Sequence, residues 1–264
     1  MAFNLDLLQV KKIQSLKNDE STSCYIFGDG PSIKYFELEK FSTLPSIISG
    51  QLFLHKDLRK LKLQSITNIE PWYFCPKIFQ KKYLQDMRKI MNLQRDFIFE
   101  NPKVTFFLNL TNFFSVRSKN VIFLHRFLSS NDMFLKKIYE QMDPFGGSFS
   151  TQIILAYILG YKKVYLIGFD SWVLEQSSSN RWYEIGEGEC LPNVSYAEDF
   201  VNIMSSVMDI TIISVKENHH PILKSITYKS YTGEEPVYRE NHELLSRTYL
   251  DLLNTFPGYK IYND

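Results

Sequence analysis

The stretch that most constrains the fold runs from Gly146 to Trp172, GGSFSTQIILAYILGYKKVYLIGFDSW. Ile153, Ile154, Tyr157, Ile158 and Tyr161 recur at helical spacing. Gly160 marks the helix end, because a left-handed C-terminal cap favours glycine. A few residues later VYLIGFD is apolar throughout, which predicts a strand buried on both faces. The motif recurs downstream. A helix over 196–208 gathers Ala197, Phe200, Val201, Met204, Val207 and Met208 on one side and leads into ITIISV, 210–215. Upstream, CYIF ending at Gly28, LPSIISG (44–50), SITNI (65–69), VTFFLNL (104–110) and VIFLHRF (121–127) read as strands. Helical spacing is expected over 5–17 and about 77–99. Strand and helix alternate, so the chain is expected to be α/β, a doubly wound, mostly parallel sheet. Extra helices are expected at both ends, the last (NHELLSRTYLDLLNTF) packing on the body through Leu244, Leu245, Tyr249, Leu252, Leu253 and Phe256. With 264 residues, 44% of them apolar, one domain over 1–264 is expected. Its nucleotide-binding core would span about 22–216, followed by a helical extension over about 217–264.

Composition removes several function classes. A formal charge of +1 gives nucleic acid no electrostatic footprint. Cys24, Cys75 and Cys190 are scattered, which argues against a disulfide framework or structural zinc and for a reducing compartment. No apolar run follows a basic N-terminus, and no stretch of about 18 apolar residues exists, so neither a signal peptide nor a membrane span is expected. The chain reads as cytoplasmic. Between residues 77 and 89, Lys77, Lys81, Lys82, Arg88 and Lys89 stand against Asp86. That is a solvated face or a surface meeting anionic lipid or glycan. A peripheral contact with the inner membrane stays open, as does self-association.

Chemistry-bearing residues cluster at strand ends. Gly28-Asp29-Gly30 follows the first strand, and Pro31-Ser32 opens the next segment. Residue 33 is Ile and no Gly-Lys-Ser/Thr follows, so this is neither the dinucleotide fingerprint nor a P-loop. Its place beyond a strand, with backbone N–H groups and a helix start behind it, suits a phosphate. Gly146-Gly147-Ser148 opens the central helix, where the hydroxyl caps the helix or meets an anion. Asp170 ends LIGFD, placed to cap a loop, orient a sugar or attack as a nucleophile. His219 and His220 follow the ITIISV strand on a loop at the same end, whereas His125 lies within a strand and reads as interior. No metal-ligand pattern and no G-x-S-x-G elbow occurs, so no cofactor is expected. EQSSSNRWYEIGEGECLPN (175–193) is the candidate mobile lid.

Together, strand-G-x-G-P-S, NIEPWYFCPKIF and GGSFSTQIILAYILGYKKVYLIGFD resemble the bacterial sialyltransferases of glycosyltransferase family 42 and their broader relatives, the MptE-like proteins. The central-helix match covers about 25 residues, with weaker register over most of 24–215. The resemblance implies a Rossmann-like, variant GT-A fold and inverting, metal-independent transfer from CMP-sialic acid. It implies donor contacts at Gly28, Asp29, Gly30, Ser32, Gly147 and Ser148, with Asp170 beside them. Glu70 and Trp172 stand where the family's pattern has a donor-side Asn and an aromatic residue. The sequence departs from that pattern at Asp29, Gly50 and Glu70, each an Asn in the family, and at Ser171-Trp172, an aromatic pair. ECLPNVSYAED also lacks the family's general-base His. His219 or His220 could supply the base, or Asp170 could attack the anomeric carbon, as in some transferases of the related sugar Kdo. The expected function is transfer of a CMP-activated acidic sugar, sialic acid-like or Kdo-like, to a glycan acceptor in bacterial surface glycan (lipopolysaccharide) synthesis. The alternatives are a pterin pyrophosphokinase and an inactive glycan-assembly subunit.

Overall fold

The computed structural model describes residues 11–17, 21–76, 87–124, 148–170, 181–188, 190, 198–217 and 223–262. Its centre is one eight-stranded sheet: β1 (Ser23–Phe27), β2 (Pro45–Ser49), β3 (Lys62–Asn68), β4 (Thr105–Asn109), β5 (Val121–Leu124), β6 (Lys163–Ile167), β7 (Asp209–Ser214) and β8 (Lys224–Thr227). Every strand pair is parallel, and the order is β5-β4-β3-β2-β1-β6-β7-β8. This is the Rossmann-like α/β fold expected from the alternation of strand and helix.

The period-2 geometry of a strand sorts its side chains onto two cores. In β1, Tyr25 and Phe27 enter one core and Cys24 and Ile26 the other. The first core is closed by helix α1 (Arg88–Glu100), through Ile90, Met91 and Ile98, and by the chain's C-terminal part. The second is closed by α2 (Ser148–Ile158) and α3 (Glu198–Ser205). α2 buries eight of its eleven residues, which is why its sequence is apolar nearly all round. With helices on both faces the sheet is doubly wound. Among the described residues no helix is long and apolar enough to cross a membrane.

The short helix expected to open at Pro31-Ser32 is present as a 3-10 turn, and the connection from β1 to β2 holds two such turns, Pro31–Tyr35 and Leu38–Phe41. Pro31 opens the first and has no N–H to give, and Phe36 and Glu37 are extended between the two. The segment after residue 217, expected to be helical, also supplies β8 before α4 (Tyr228–Thr232), α5 (Asn241–Leu244) and α6 (Arg247–Leu253). Leu244, Leu250, Leu253 and Ile261 from this part are buried in the first core.

Candidate functional site

Strand order runs outward from β1 to β5, then returns to β6 on the other side of β1. The crevice beyond the carboxyl ends of β1 and β6 is therefore the topological switch point, where ligands bind in open α/β sheets. Gly28-Asp29-Gly30 lies at one lip and Gly168-Phe169-Asp170 at the other. The Gly28 N–H donates to the Ile167 carbonyl and the Gly30 N–H to the Gly168 carbonyl, both at 2.8 Å. A side chain on Gly30 would stand 2.6 Å from both the Gly168 carbonyl oxygen and Asp170 Oδ2. The glycines thus let two strand ends approach closely, and two of the N–H groups expected to meet a phosphate are taken by β6.

Asp29 is half-buried and faces the end of β2. Its carboxylate accepts the Gln51 N–H at 3.1 Å to each oxygen, and Trp182 Nε1–H donates to Oδ1 at 3.2 Å. Room for it comes from Gly50. That residue has φ 59°, and a Cβ there would fall 1.5 Å from Asp29 Oδ2. Burial raises the Asp29 carboxyl to about 6, opposed by the Gln51 N–H, the charge of Arg181 and the Trp182 N–H. The Arg181 guanidinium in turn lies 4.9 Å from the Tyr259 ring centre.

Asp170 is 4% exposed, and its Oδ2 accepts the Ser32 N–H at 2.7 Å. Burial lifts this carboxyl also to about 6, against hydrogen bonding from Ser32. Cys190 feels the field of Asp170, and that field together with burial holds its thiol up at about 12. Lys216, just beyond β7, and Lys34 pull the thiol the other way. The ends of β1 and β6 therefore bring two high-pKa carboxyls to one crevice, with Lys216 following β7. A carboxyl near 6 is ionised at neutral pH and remains basic enough to accept a proton.

The segment after β6 departs from the lid expected over 175–193. Trp182 and Tyr183 are fully buried, and Glu184 nearly so. The Trp182 N–H donates to the Asp29 carbonyl at 3.1 Å, and its ring centre lies 5.2 Å from that of His55. Lys34 is buried too, and its Nζ donates to the carbonyls of Glu184 and Gly186. Burial lowers this ammonium to about 8, while Glu240 and Glu184 favour its charge. Glu184 accepts the Arg181 N–H at 2.6 Å and the Lys260 N–H at 3.0 Å. Asn241 Nδ2 bonds the carbonyls of Tyr183 and Ile261 at 3.1 and 3.0 Å. Residues 181–186 thus form a wall tied to the glycine turn on one side and the C-terminal tail on the other.

Of the residues expected in the site, Gly28, Asp29, Gly30, Ser32 and Asp170 meet at the switch point. Ser148 opens α2, one turn before Gln152, whose Nε2 donates to the Phe27 carbonyl at 3.4 Å. The ring of Phe149 stands 5.3 Å from that of Phe169, so the start of this helix lies beside the crevice. Glu70 sits farther along, beyond β3, where its carbonyl accepts Asn112 Nδ2–H at 3.1 Å. Gly147, Trp172, His219, His220, His125 and residues 77–86 of the basic segment lie outside the described residues, while Arg88 and Lys89 are on the exposed side of α1. Lys34, Trp182 and Lys216 were not anticipated, and Gly50 stood out only as a departure from the family's Asn. The one local signal was Gly50 directly after an apolar strand; a lysine and a tryptophan in polar surroundings gave none. Among the described residues no group of three His, Cys, Asp or Glu side chains is gathered for a metal ion. Comparison with protein-family models, with curated proteins and with solved structures found no match.

Proposed function

We propose that this protein is a glycosyltransferase that takes an acidic sugar, sialic acid-like or Kdo-like, from a CMP donor. The observation that carries this reading is the pair of carboxylates, Asp29 and Asp170, at the two lips of the switch-point crevice. In this reading Asp29 serves the nucleoside end. A carboxylate pinned by Gln51 and Trp182 accepts from the cytosine amine or a ribose hydroxyl and repels phosphate. Asp170 serves the reacting end, where an ionised carboxylate with a raised pKa takes the acceptor proton or attacks the anomeric carbon. The departing CMP phosphate is met by the start of α2 at Ser148 and by the positive charge beyond β7 at Lys216. The resemblance of GDGPS and of the α2–β6 unit to bacterial sialyltransferases supports the same assignment.

The test is CMP release from CMP-sialic acid and CMP-Kdo. The wild type should release CMP from at least one of them, and Asp170→Asn should lower the rate by about 10²-fold or more. Turnover of a UDP- or GDP-sugar with neither CMP-sugar touched would contradict the proposal.

A further inference from the structure

A cavity of about 600 Å³ opens away from the switch point, beyond the carboxyl ends of β3 and β4. Its walls are the turn 72–76, one stripe of α1 and the segment 111–115. The volume is that of a small-molecule site. Arg88 and Arg95, seven residues apart and so on the same side of α1, both line it, and among the described residues no Asp or Glu does. Arg95 is held in place: its Nη2 donates to the Phe74 carbonyl at 2.8 Å, and its guanidinium lies 5.8 Å from the Phe74 ring centre. Among the described residues its buried Nε has no hydrogen-bond partner.

Two aromatic residues complete the walls. Trp72 is 41% exposed and Phe114 83%, unusual for side chains of this size. Trp72 has φ 55°, and it is the one non-glycine residue at positive φ among the described residues. A bulky side chain adopts that conformation only when its surroundings impose it, and such outliers gather at ligand sites. Here the Trp72 N–H is fixed on Thr111 Oγ1 at 2.8 Å, and the Trp72 carbonyl accepts the Cys75 N–H at 3.1 Å. The strained turn therefore keeps an indole at the cavity rim that could otherwise fold away.

We propose that this cavity binds a carboxylate-bearing saccharide. An exposed indole offers a flat apolar face to the C–H face of a pyranose ring. A guanidinium offers paired donors to a carboxylate. Two guanidinium groups, with no acid beside them among the described lining residues, favour a ligand of negative charge. The inference stands on this cavity alone and does not depend on the donor assigned to the switch point.

The discriminating experiment titrates the full chain with methyl glucuronide, methyl glucoside and inorganic phosphate, read by calorimetry and by saturation-transfer NMR. The two glycosides differ only in the carboxylate. The uronide should bind in the millimolar range or tighter, and the glucoside about tenfold or more weakly. Trp72→Ala and Arg88→Gln should each weaken uronide binding about tenfold, the scale of one lost charge-assisted or aromatic contact. Both residues are exposed, so circular dichroism should show an unchanged fold; Arg95→Gln is the third variant, informative only if it passes that check. Equal binding of both glycosides, uronide binding unmoved by Trp72→Ala and Arg88→Gln, or no uronide binding at millimolar concentration would each overturn the proposal. Phosphate displacing the uronide with equal affinity would also overturn it, as a bare anion site.

Discussion

Asp170 and His55 are buried ionisable side chains whose environments oppose their charged forms. The Asp170 carboxyl titrates near 6 in the fold and near 3.9 in an unfolded chain. A raised carboxyl favours the folded state at low pH, and that contribution is lost as pH rises from about 4 through 6. Asp170→Asn should therefore raise stability at pH 7.5 by about 1–3 kcal/mol. Urea denaturation at pH 7.5 reads this, and an unchanged or lower midpoint would show that burial does not destabilise the charge. His55 has the opposite sign. Burial lowers its imidazole to about 3, opposed by the charge of Asp57 and aided by Arg239 and Lys56, and its Nδ1 accepts the Asp57 N–H at 3.0 Å. Its contribution is complete above about pH 6.5 and is lost as pH falls from there toward 3. His55→Asn keeps an acceptor for Asp57. Between pH 7.5 and 4.5 the wild type should lose about 2 kcal/mol more than this variant. Parallel pH profiles for the two would contradict the assignment. Asp170 was legible in the sequence because it ends an apolar strand. His55 was not, because LFLHKD gives no sign that the ring is sealed beneath Trp182, which lies far along the chain.

Elements show a similar division. Seven of the eight strands were legible, since runs such as CYIF, SITNI and ITIISV are β-branched or aromatic and bounded by turn residues. The eighth was not. KSIT is short, polar and only partly buried, and its strand character comes from pairing with β7. The glycine turn was visible, but its job changed. Gly28 and Gly30 allow β1 and β6 to close on one another, a contact between residues about 140 positions apart that no local pattern encodes. Gly50 is matched to Asp29 in the same way. Gly50→Ala places a Cβ 1.5 Å from the Asp29 carboxylate at φ 59°, and it should cost more than about 2 kcal/mol. In Gly50→Ala/Asp29→Ala the collision is gone and only the backbone term of about 1–2 kcal/mol remains. The double mutant should therefore fall short of additivity by about 1 kcal/mol or more in thermal or urea denaturation. Strict additivity would mean that the two residues do not share this space.

For the whole molecule, the strand order concentrates chemistry-bearing residues. One reversal, at β1, brings Asp29 and Asp170, about 140 positions apart in the chain, to a common crevice. The chain after residue 217 completes the sheet with β8, fills one core with α5 and α6, and ties down the 181–186 wall through Asn241 and Lys260. The parallel, doubly wound architecture was legible from the alternation of apolar strands and amphipathic or apolar helices. The wall was not, because RWYEIGEGE has the composition of an exposed loop, and the buried Lys34 that holds it looks like a surface cation. On the proposed function, this crevice is a nucleotide site whose carboxylate beyond β1, Asp29, reads the nucleoside. Calorimetric titration of the wild type and of a folded Asp29→Ala variant with CMP, UDP and GDP tests it most directly. CMP should bind the wild type most tightly, and Asp29→Ala should weaken it about tenfold. UDP or GDP binding in preference to CMP, or CMP affinity unchanged in Asp29→Ala, would contradict it.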